Sequence, residues 1–293
     1  MRITFIGLGE AASAIISGWG DAQPGPIRAF DIKTVDPATA PEIAARAERL
    51  GVTACASAAD ALKDAELVFC MVTADQAVAA AGQGAPHLPE GAVWCDMNSC
   101  APSSKQRSAA TVEAAGGRYL DVAVLAPVYP LRNMVPCLVS GPDASRMAPV
   151  MAGFPMDVRV VSDAVGRASS IKMVRSIMVK GLEALTAECV LAAVAADVAD
   201  EVFPSLKSDS PRLEVLERAA YNFERMLVHG KRRAAEMDEV AKMLADLGLP
   251  GDMSTATAHW QRVLSGTDLT LPEGDVPDHL WFASEYLKRL LPD

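Results

Sequence analysis

The sequence has few aromatic residues and lacks the long apolar segments of a membrane protein. Aromatic residues make up 5% of its 293 residues, and no uninterrupted apolar run approaches the ~18 residues of a membrane-spanning helix. The opening residues, MRITFIGLGE, lack the charged region, long apolar stretch and cleavage site of a secretory signal peptide. We therefore expect a cytoplasmic protein without a membrane partner.

Positive charge is also scarce. Lys and Arg number 27 against 37 Asp and Glu, which gives a net charge of −10. This is the wrong sign for a protein that binds nucleic acid by neutralising phosphates. Hydrophobic residues at 51% and charged residues at 22% are typical of a globular protein. The length predicts two domains or one large domain.

Motifs for metal, acyl-transfer and phosphoryl-transfer chemistry are absent as well. The cysteines form no CxxC pair, and no His lies at ligand spacing, so we expect reduced core cysteines and no metal. There is neither a Gly-x-Ser-x-Gly elbow nor a Walker lysine loop. The six cysteines are Cys55, Cys70, Cys95, Cys100, Cys137 and Cys189.

The first half alternates short β-type runs with alanine-rich helical stretches. This pattern predicts βαβ units and a parallel, doubly wound Rossmann sheet. Helices are predicted at 37–50 and 57–62, and a short extra strand at 52–54. The main strands are predicted at residues 2–6, 27–31, 66–72, 92–97, 119–122 and 138–140.

The pattern changes near residue 163, which predicts a dinucleotide-binding domain at 1–163 and an all-α domain at 164–293. Apolar residues recur at helical spacing, without proline, from 165 to about 203, so we expect one long interdomain helix there. A new helix is expected to start at 208–211 and to continue to 247. Further helices are predicted at 255–263 and 277–291.

A glycine turn directly follows the first predicted strand. In a dinucleotide site Gly7 would make the tight turn, Gly9 would admit the pyrophosphate, and the small Ala12 would let helix and strand pack closely. The helix that opens near Glu10 would offer its N-terminus to the phosphates. On its own the motif also fits a simple strand-to-helix turn. We assign the turn to cofactor binding: Gly7, Leu8, Gly9, Glu10, Ala11 and Ala12.

Asp31 ends the second predicted strand, where an acidic residue accepts hydrogen bonds from the adenosine ribose. Its carboxylate would repel a 2′-phosphate, so NAD is favoured over NADP, although Lys33 keeps NADP open. A turn aspartate at a strand end is the alternative reading. Val72 and Thr73, at the end of the third main strand, complete the predicted cofactor set.

A polar cluster, Asp96-Met-Asn98-Ser99-Cys-Ala-Pro102, follows another predicted strand. Ligands bind at this edge of open α/β sheets. Asn98 and Ser99 are suited to a substrate carboxylate or hydroxyl, and Pro102 would start a helix. A plain helix cap is the competing interpretation.

The start of the helical half carries Lys172 and Ser176, which lie one helical turn apart. Alone, Lys172 would be read as a solvated surface lysine. Its small and apolar neighbours favour instead a partly buried lysine with a lowered pKa, able to exchange a proton with a hydroxyl or carbonyl. Lys180 is the competing candidate.

A second basic stretch lies later in the helical half. Lys231, Arg232 and Arg233 follow His229 within one turn and could bind a substrate carboxylate. The alternative is a solvated face paired with the nearby glutamates. His229 is also a second candidate for proton transfer.

In this order the motifs resemble the β-hydroxyacid dehydrogenase superfamily, which includes 3-hydroxyisobutyrate dehydrogenase and the cofactor domain of 6-phosphogluconate dehydrogenase. The substrate motif Asp-x-Ser-Thr-x-x-Pro is matched from Asp96 to Pro102, with Asn98 at the first hydroxyl position. The catalytic motif Gly-x5-Lys-x3-Asn is matched from Gly166 to Ser176, with serine in place of asparagine. The resemblance makes Lys172 the general acid/base and Ser176 its catalytic companion.

Two further features refine the resemblance. The family's Asp-Ala-Pro-Val-Ser-Gly-Gly segment is represented by Asp121-Val-Ala-Val-Leu-Ala-Pro-Val, without the double glycine. The His229 stretch resembles a branch whose C-terminal domain has no assigned function.

The resemblance implies hydride transfer between nicotinamide and a small carboxylate-bearing hydroxy acid. Substrate contacts are assigned to Asn98, Ser99, His229, Arg232 and Arg233. Imine reductases share the architecture but usually lack lysine at position 172, and they remain the alternative within the class. A dinucleotide-binding regulatory protein without turnover is the alternative outside it. The long apolar helix favours a homodimer through the helical half.

Overall fold

The computed structural model describes residues 1–23, 25–208 and 215–291. Within these ranges, no helix is long and apolar enough to cross a membrane. The chain divides into two compact units, a sheet unit of residues 1–173 and a helical unit of residues 174–293. The division falls later than the predicted boundary after residue 163, because the first residues of the long helix pack within the sheet unit.

The sheet unit contains one eight-stranded sheet in the order β3-β2-β1-β4-β5-β6-β7-β8. Neighbouring strands are parallel through β6, β7 is antiparallel to β6, and β8 is parallel to β7. The predicted Rossmann fold is confirmed, with strand ends shifted by one or two residues, and β8 was not predicted. The strands are β1 (Ile3–Ile6), β2 (Ile27–Phe30), β3 (Thr53–Ala54), β4 (Leu67–Cys70), β5 (Val93–Asp96), β6 (Arg118–Val124), β7 (Cys137–Ser140) and β8 (Val158–Ser162).

Helices cover both faces of this sheet, which explains why its central strands are continuous apolar runs. On one face Trp19 packs against Phe5 and Phe69, whose rings stack 5.2 Å apart. On the other face Trp94 and Tyr119 are almost fully buried. The helices are α1 (Glu10–Trp19), α2 (Ala40–Leu50), α3 (Ala58–Leu62), α4 (Ala77–Gly84), α5 (Pro102–Ala114) and α6 (Ala144–Ala152).

The helical unit confirms the predicted all-α half, but the single helix expected from 165 to 203 is wrong. It is broken at Asp197, whose φ of +56° is incompatible with a continuing right-handed helix. The expected start at 208–211 falls largely on residues outside the described part. Phe223, Phe282 and Tyr286 form the centre of the core. The helices are α7 (Arg167–Ala195), α8 (Ala199–Ser208), α9 (Val215–Asp246), α10 (Asp252–Ser265) and α11 (His279–Leu290).

None of the six cysteines forms a disulfide, and five of them are buried. Only Cys189 is partly exposed. The cysteines therefore serve as small apolar core residues.

Candidate active site

The glycine turn lies where β1 ends, at the carboxyl edge shared by β1, β2, β4, β5 and β6. Gly7 has a φ of +91°, and a side chain there would overlap the backbone carbonyl of Met71. Both conditions demand glycine. Gly7 is thus fixed by the close approach of the turn to the end of β4.

Gly9 has a different reason to be glycine. It is the N-cap of α1, has an ordinary φ of −81°, and gives the helix no side-chain cap. A Cβ at this position would meet nothing within 4 Å. The turn therefore leaves open space beside uncapped backbone N–H groups, which is the arrangement that binds a pyrophosphate. Ala12 is fully buried, as close packing of helix and strand requires.

Asp31 follows β2 and faces the glycine turn. Its Oδ2 accepts a hydrogen bond from the Leu8 N–H at 2.8 Å, and its Oδ1 accepts one from the Lys33 N–H at 3.0 Å. Asp31 is only partly buried, so its carboxylate can also reach a ligand over the turn. Through these bonds Asp31 holds the glycine turn against the end of β2.

Two cations near the glycine turn, Lys33 and Arg46, are both paired with Glu42. Arg46 donates to the Leu8 carbonyl at 2.8 Å and to Glu42 at 2.6 Å. Lys33 Nζ lies 3.9 Å from the carboxylate of Glu42. Sequence analysis missed Arg46, because its separation of 38 positions from Leu8 leaves no local pattern.

Val72, Thr73 and Asn98 lie where β4 and β5 end. Asn98 Oδ1 accepts a hydrogen bond from the Val72 N–H at 2.7 Å, while its Nδ2 donates to Asp96 Oδ1 at 2.8 Å and to Cys70 Sγ at 3.4 Å. Asn98 is buried and Thr73 is exposed. Both Nδ2 hydrogens of Asn98 are used in these bonds, and its Oδ1 holds the Val72 N–H in place.

Lys172 and Ser99 are brought together at the same edge. Lys172, in the second turn of α7, donates a hydrogen bond from Nζ to Ser99 Oγ. Its positive charge also acts on Cys137, the first residue of β7. Burial raises the pKa of the Cys137 thiol to about 12, and Lys172 partly opposes that rise. The structure therefore joins the two residues that the sequence placed in separate motifs.

A buried ionic cluster, here the Lys105 cluster of Asp96, Lys105, Tyr119 and Asp121, lies beneath this edge. Lys105 Nζ donates to the Asp96 carbonyl at 2.6 Å and to Asp96 Oδ1 at 2.9 Å, and lies 3.4 Å from Asp121 Oδ1. Tyr119 donates its hydroxyl to Asp96 Oδ2 at 2.6 Å. All four residues are almost fully inaccessible, so their charges interact with little screening.

Neighbouring groups in the Lys105 cluster shift each other's pKa. Burial alone would lower the pKa of Lys105, but the carboxylates of Asp96 and Asp121 outweigh it and hold the pKa above its ordinary value. Burial and the Asp96 charge together raise the pKa of Tyr119. Lys105 is therefore charged and Tyr119 neutral at ordinary pH.

Asp121 also holds the start of α7. Its Oδ2 accepts hydrogen bonds from the Gly166 N–H at 3.1 Å and the Ser169 N–H at 3.0 Å, and its Oδ1 accepts one from Ser169 Oγ at 2.6 Å. A carboxylate at a helix N-terminus also interacts favourably with the helix dipole. Asp121 thus fixes the turn of helix that precedes Lys172.

The remaining predicted site residues belong to the helical unit. Ser176 is buried and accepts a hydrogen bond from Lys180 Nζ at 3.2 Å. Lys180 is itself paired with Glu236 at 2.9 Å. The competing lysine therefore has a buried carboxylate partner on α9.

The basic stretch on α9 is divided between core and surface. Arg233 is buried and paired with Glu183 through one terminal guanidinium nitrogen, while its buried Nε has no hydrogen-bond partner among the described residues. Arg232 is half exposed and pairs with Glu236 at 2.6 Å. His229 and Arg232 line an open cavity of about 370 Å³ together with Ser265.

The comparisons with family models cover most of the chain. Residues 2–152 match the NAD binding domain of 6-phosphogluconate dehydrogenase. Residues 193–264, which include the basic stretch on α9, match a domain of unknown function, DUF1932.

Solved structures share the fold over nearly the whole length. A conserved hypothetical protein from Sinorhizobium meliloti is 32% identical, with 99% of this chain and 96% of that one covered and a TM-score of 0.76. A 3-hydroxyisobutyrate dehydrogenase from Mycobacterium tuberculosis is 16% identical, with 97% and 98% covered and a TM-score of 0.71. An imine reductase from Streptomyces aurantiacus is 18% identical, with 99% and 100% covered and a TM-score of 0.51. At such identity the last two show the fold alone.

Proposed function

The chain belongs to the family defined by the NAD binding domain of 6-phosphogluconate dehydrogenase, and on this premise we propose that it is an oxidoreductase acting on a small hydroxy acid. The hydrogen bond between Lys172 Nζ and Ser99 Oγ carries the proposal. It joins an amine that can exchange a proton to a hydroxyl that can bind substrate, at the edge where open α/β sheets bind ligands.

A nicotinamide dinucleotide fits the residues at the glycine turn. Gly9 and the start of α1 would hold the pyrophosphate, and Asp31 would accept hydrogen bonds from the ribose. When bound, the nicotinamide accepts or donates the hydride. NAD is the preferred form because Asp31 is a negative charge at the ribose, and because Glu42 holds Lys33 and Arg46.

Lys172 would manage the proton in either direction. In oxidation, its neutral amine takes the proton of the substrate hydroxyl as the hydride leaves the carbon that bears this hydroxyl. In reduction, its ammonium returns the proton to the carbonyl oxygen. Ser99 would orient the substrate oxygen, and Asn98 would keep the loop after β4 in place. Lysine at 172 favours alcohol and ketone chemistry over imine chemistry.

Ser176, His229, Arg232 and Arg233 are proposed to have lesser parts in substrate binding. Of these, His229 and Arg232 face a cavity. The guanidinium of Arg232 suits a substrate carboxylate.

A second copy of the chain is proposed to cover an apolar stripe on α7. Val174, Met178, Leu182 and Leu185 recur at helical spacing, and each is more than half exposed. Exposed stripes of this kind are typical of subunit interfaces. Analytical ultracentrifugation checks the dimer, and loss of the dimer in Met178→Glu would place it on this stripe.

The experiment that tests the function is a screen of small hydroxy acids and their keto forms, followed by nicotinamide absorbance. With an active substrate in hand, Lys172→Ala is expected to bind NADH as the wild type does, but to lose turnover by ~10²–10⁴-fold, the range of general acid–base catalysis. The exposed Lys63→Met serves as the matched control and should keep full turnover. Wild-type turnover in Lys172→Ala would overturn the role of this lysine.

A further inference from the structure

Lys105 is the one member of the Lys105 cluster that contacts both of its carboxylates. Its side chain is 0% exposed, an unusual position for lysine, which is rarely buried without a partner. Nothing in the proposed reaction uses it. Its burial therefore calls for a structural or positioning reason.

The two carboxylates hold different pieces of main chain. Asp96 Oδ1 accepts hydrogen bonds from the Asn98 N–H at 3.0 Å and from the Asn98 side chain at 2.8 Å, which fixes the loop that leads into Ser99. Asp121 accepts bonds from the N–H groups of Gly166 and Ser169, which fixes the start of α7. Lys105 is the cation shared by the Ser99 loop and the Lys172 helix.

We propose that Lys105 is a positioning residue that holds the Ser99 loop and the start of α7 at the separation at which Lys172 reaches Ser99. The inference rests on the proposed function in giving Lys172 and Ser99 their importance. Without the ammonium, Asp96 and Asp121 would be two buried anions that repel each other. One of them would bind a proton or move, and the segment attached to it would move with it.

The charges in the cluster support this role. One ammonium and two carboxylates leave one negative charge, which is offset by the N–H groups at the start of α7 that donate to Asp121. A purely structural ion pair would need only one carboxylate. The second carboxylate ties the pair to the helix that carries Lys172.

The test uses the reactivity of Lys172 itself. Full-length protein is treated with acetic anhydride across a pH series, and acetylation of Lys172 is followed by peptide mass spectrometry. In Lys105→Met, Lys172 is expected to react about fivefold faster at a given pH, the factor for losing one ordinary hydrogen bond. Lys105→Arg, which keeps the charge, should recover part of the protection.

Ser169→Ala keeps the test decisive if Lys105→Met does not fold. It removes only the hydroxyl bond to Asp121 and leaves every charge in place, so a smaller acceleration in the same direction is expected. Lys63→Met is the control and should match the wild type. Wild-type reactivity of Lys172 in folded Lys105→Met, or in Ser169→Ala when the first variant is unfolded, would overturn the proposal.

The result is separable from the proposed function. Acetylation needs neither cofactor nor substrate, so it reports on Lys105 even if the protein binds no NADH. With an active substrate, Lys105→Met should lower kcat while the Kd for NADH stays unchanged, because the contacts of the glycine turn do not involve Lys105.

Discussion

Both units bury charged side chains, but they attach them to the fold differently. In the sheet unit, Asp96 and Asp121 accept hydrogen bonds from backbone N–H groups where a loop and a helix begin. In the helical unit, Glu183 accepts from the side chains of Arg233 and Gln261 on α9 and α10. The first arrangement fixes main-chain positions at the carboxyl edge, and the second fixes which helix faces meet.

The difference shows what each buried charge is for. A carboxylate that holds backbone N–H groups sets the geometry of a site, since loops have few other restraints. A carboxylate that holds an arginine on another helix mainly selects a packing register, because helices satisfy their own backbone. We therefore expect damage to the two arrangements to have different consequences.

Breaking the pair in the helical unit has the largest expected effect on stability. Glu183→Gln leaves the buried charge of Arg233 without its anion, and the free energy of unfolding should fall by about 3–5 kcal/mol. In Asp121→Asn, Lys105 keeps Asp96, so the loss should be smaller, about 1.5–3 kcal/mol. Urea unfolding measures both.

Hydrogen exchange sharpens the same comparison. Asp121→Asn should speed exchange of the Gly166 and Ser169 amides, which donate to this carboxylate, whereas Glu183→Gln should leave them unchanged. Equal exchange at these amides in both variants would remove the distinction between the two arrangements.

Helix packing offers the next test, through two helical glycines. A Cβ at Gly230 on α9 would lie 2.6 Å from Ser265 Cβ on α10, so Gly230→Ala should destabilise the protein by about 1–3 kcal/mol. A Cβ at Gly82 on α4 would meet nothing within 4 Å, so Gly82→Ala should stabilise by about 0.5–1 kcal/mol. A thermal unfolding midpoint that shifts in the same direction in both variants would contradict the close approach of α9 and α10.

Alkaline pH should weaken the sheet unit first. Burial raises the pKa of the thiols of Cys70 and Cys95, and that of Cys137 to about 12, from an ordinary value of 9.0. A raised folded pKa contributes stability that is complete below pH 9 and declines as pH rises toward the folded value. Between pH 9 and the folded pKa, ionisation of each thiol lowers the free energy of unfolding by up to about 1.4 kcal/mol per pH unit.

In the helical unit the corresponding group is Tyr286, whose pKa burial raises from an ordinary value of 10.0. The loss of stability that its ionisation causes therefore begins about one pH unit higher than for the thiols. Trp19 and Trp94 lie in the sheet unit, so their fluorescence, measured in a variant with Trp260 and Trp281 replaced by Phe, should change first. The reciprocal variant has Trp19 and Trp94 replaced by Phe, so that its fluorescence reports on the helical unit. An earlier fluorescence change in this variant would contradict the predicted order.

Sequence patterns predict the parts of the site that are local. The spacing of Gly7 and Gly9, and Asp31 at the next strand end, need only neighbouring residues and strand periodicity. Lys105 could not be predicted, because lysine is ordinarily exposed and its second carboxylate, Asp121, is brought near only by the pairing of β5 with β6. The contact of Arg233 with Glu183, 50 positions away, could not be predicted either, because only the packing of the helices brings the two residues together.

The helix break before α8 was missed because residues 196–198, Ala-Asp-Val, contain neither glycine nor proline. Asp197 takes the left-handed conformation there, which aspartate tolerates better than most residues. A pattern that relies on glycine and proline for helix ends cannot find such a break.

The most direct test of the account is an isothermal titration of the protein and of Gly9→Val with NADH and with NADPH. The Gly9→Val variant should fold normally, because a Cβ at this position meets nothing within 4 Å. Its added side chain would fill the space proposed for the pyrophosphate. We predict that the wild type binds NADH more tightly than NADPH, and that Gly9→Val binds neither. A wild type that binds neither dinucleotide, or a Gly9→Val variant that binds NADH normally, would contradict the central claim.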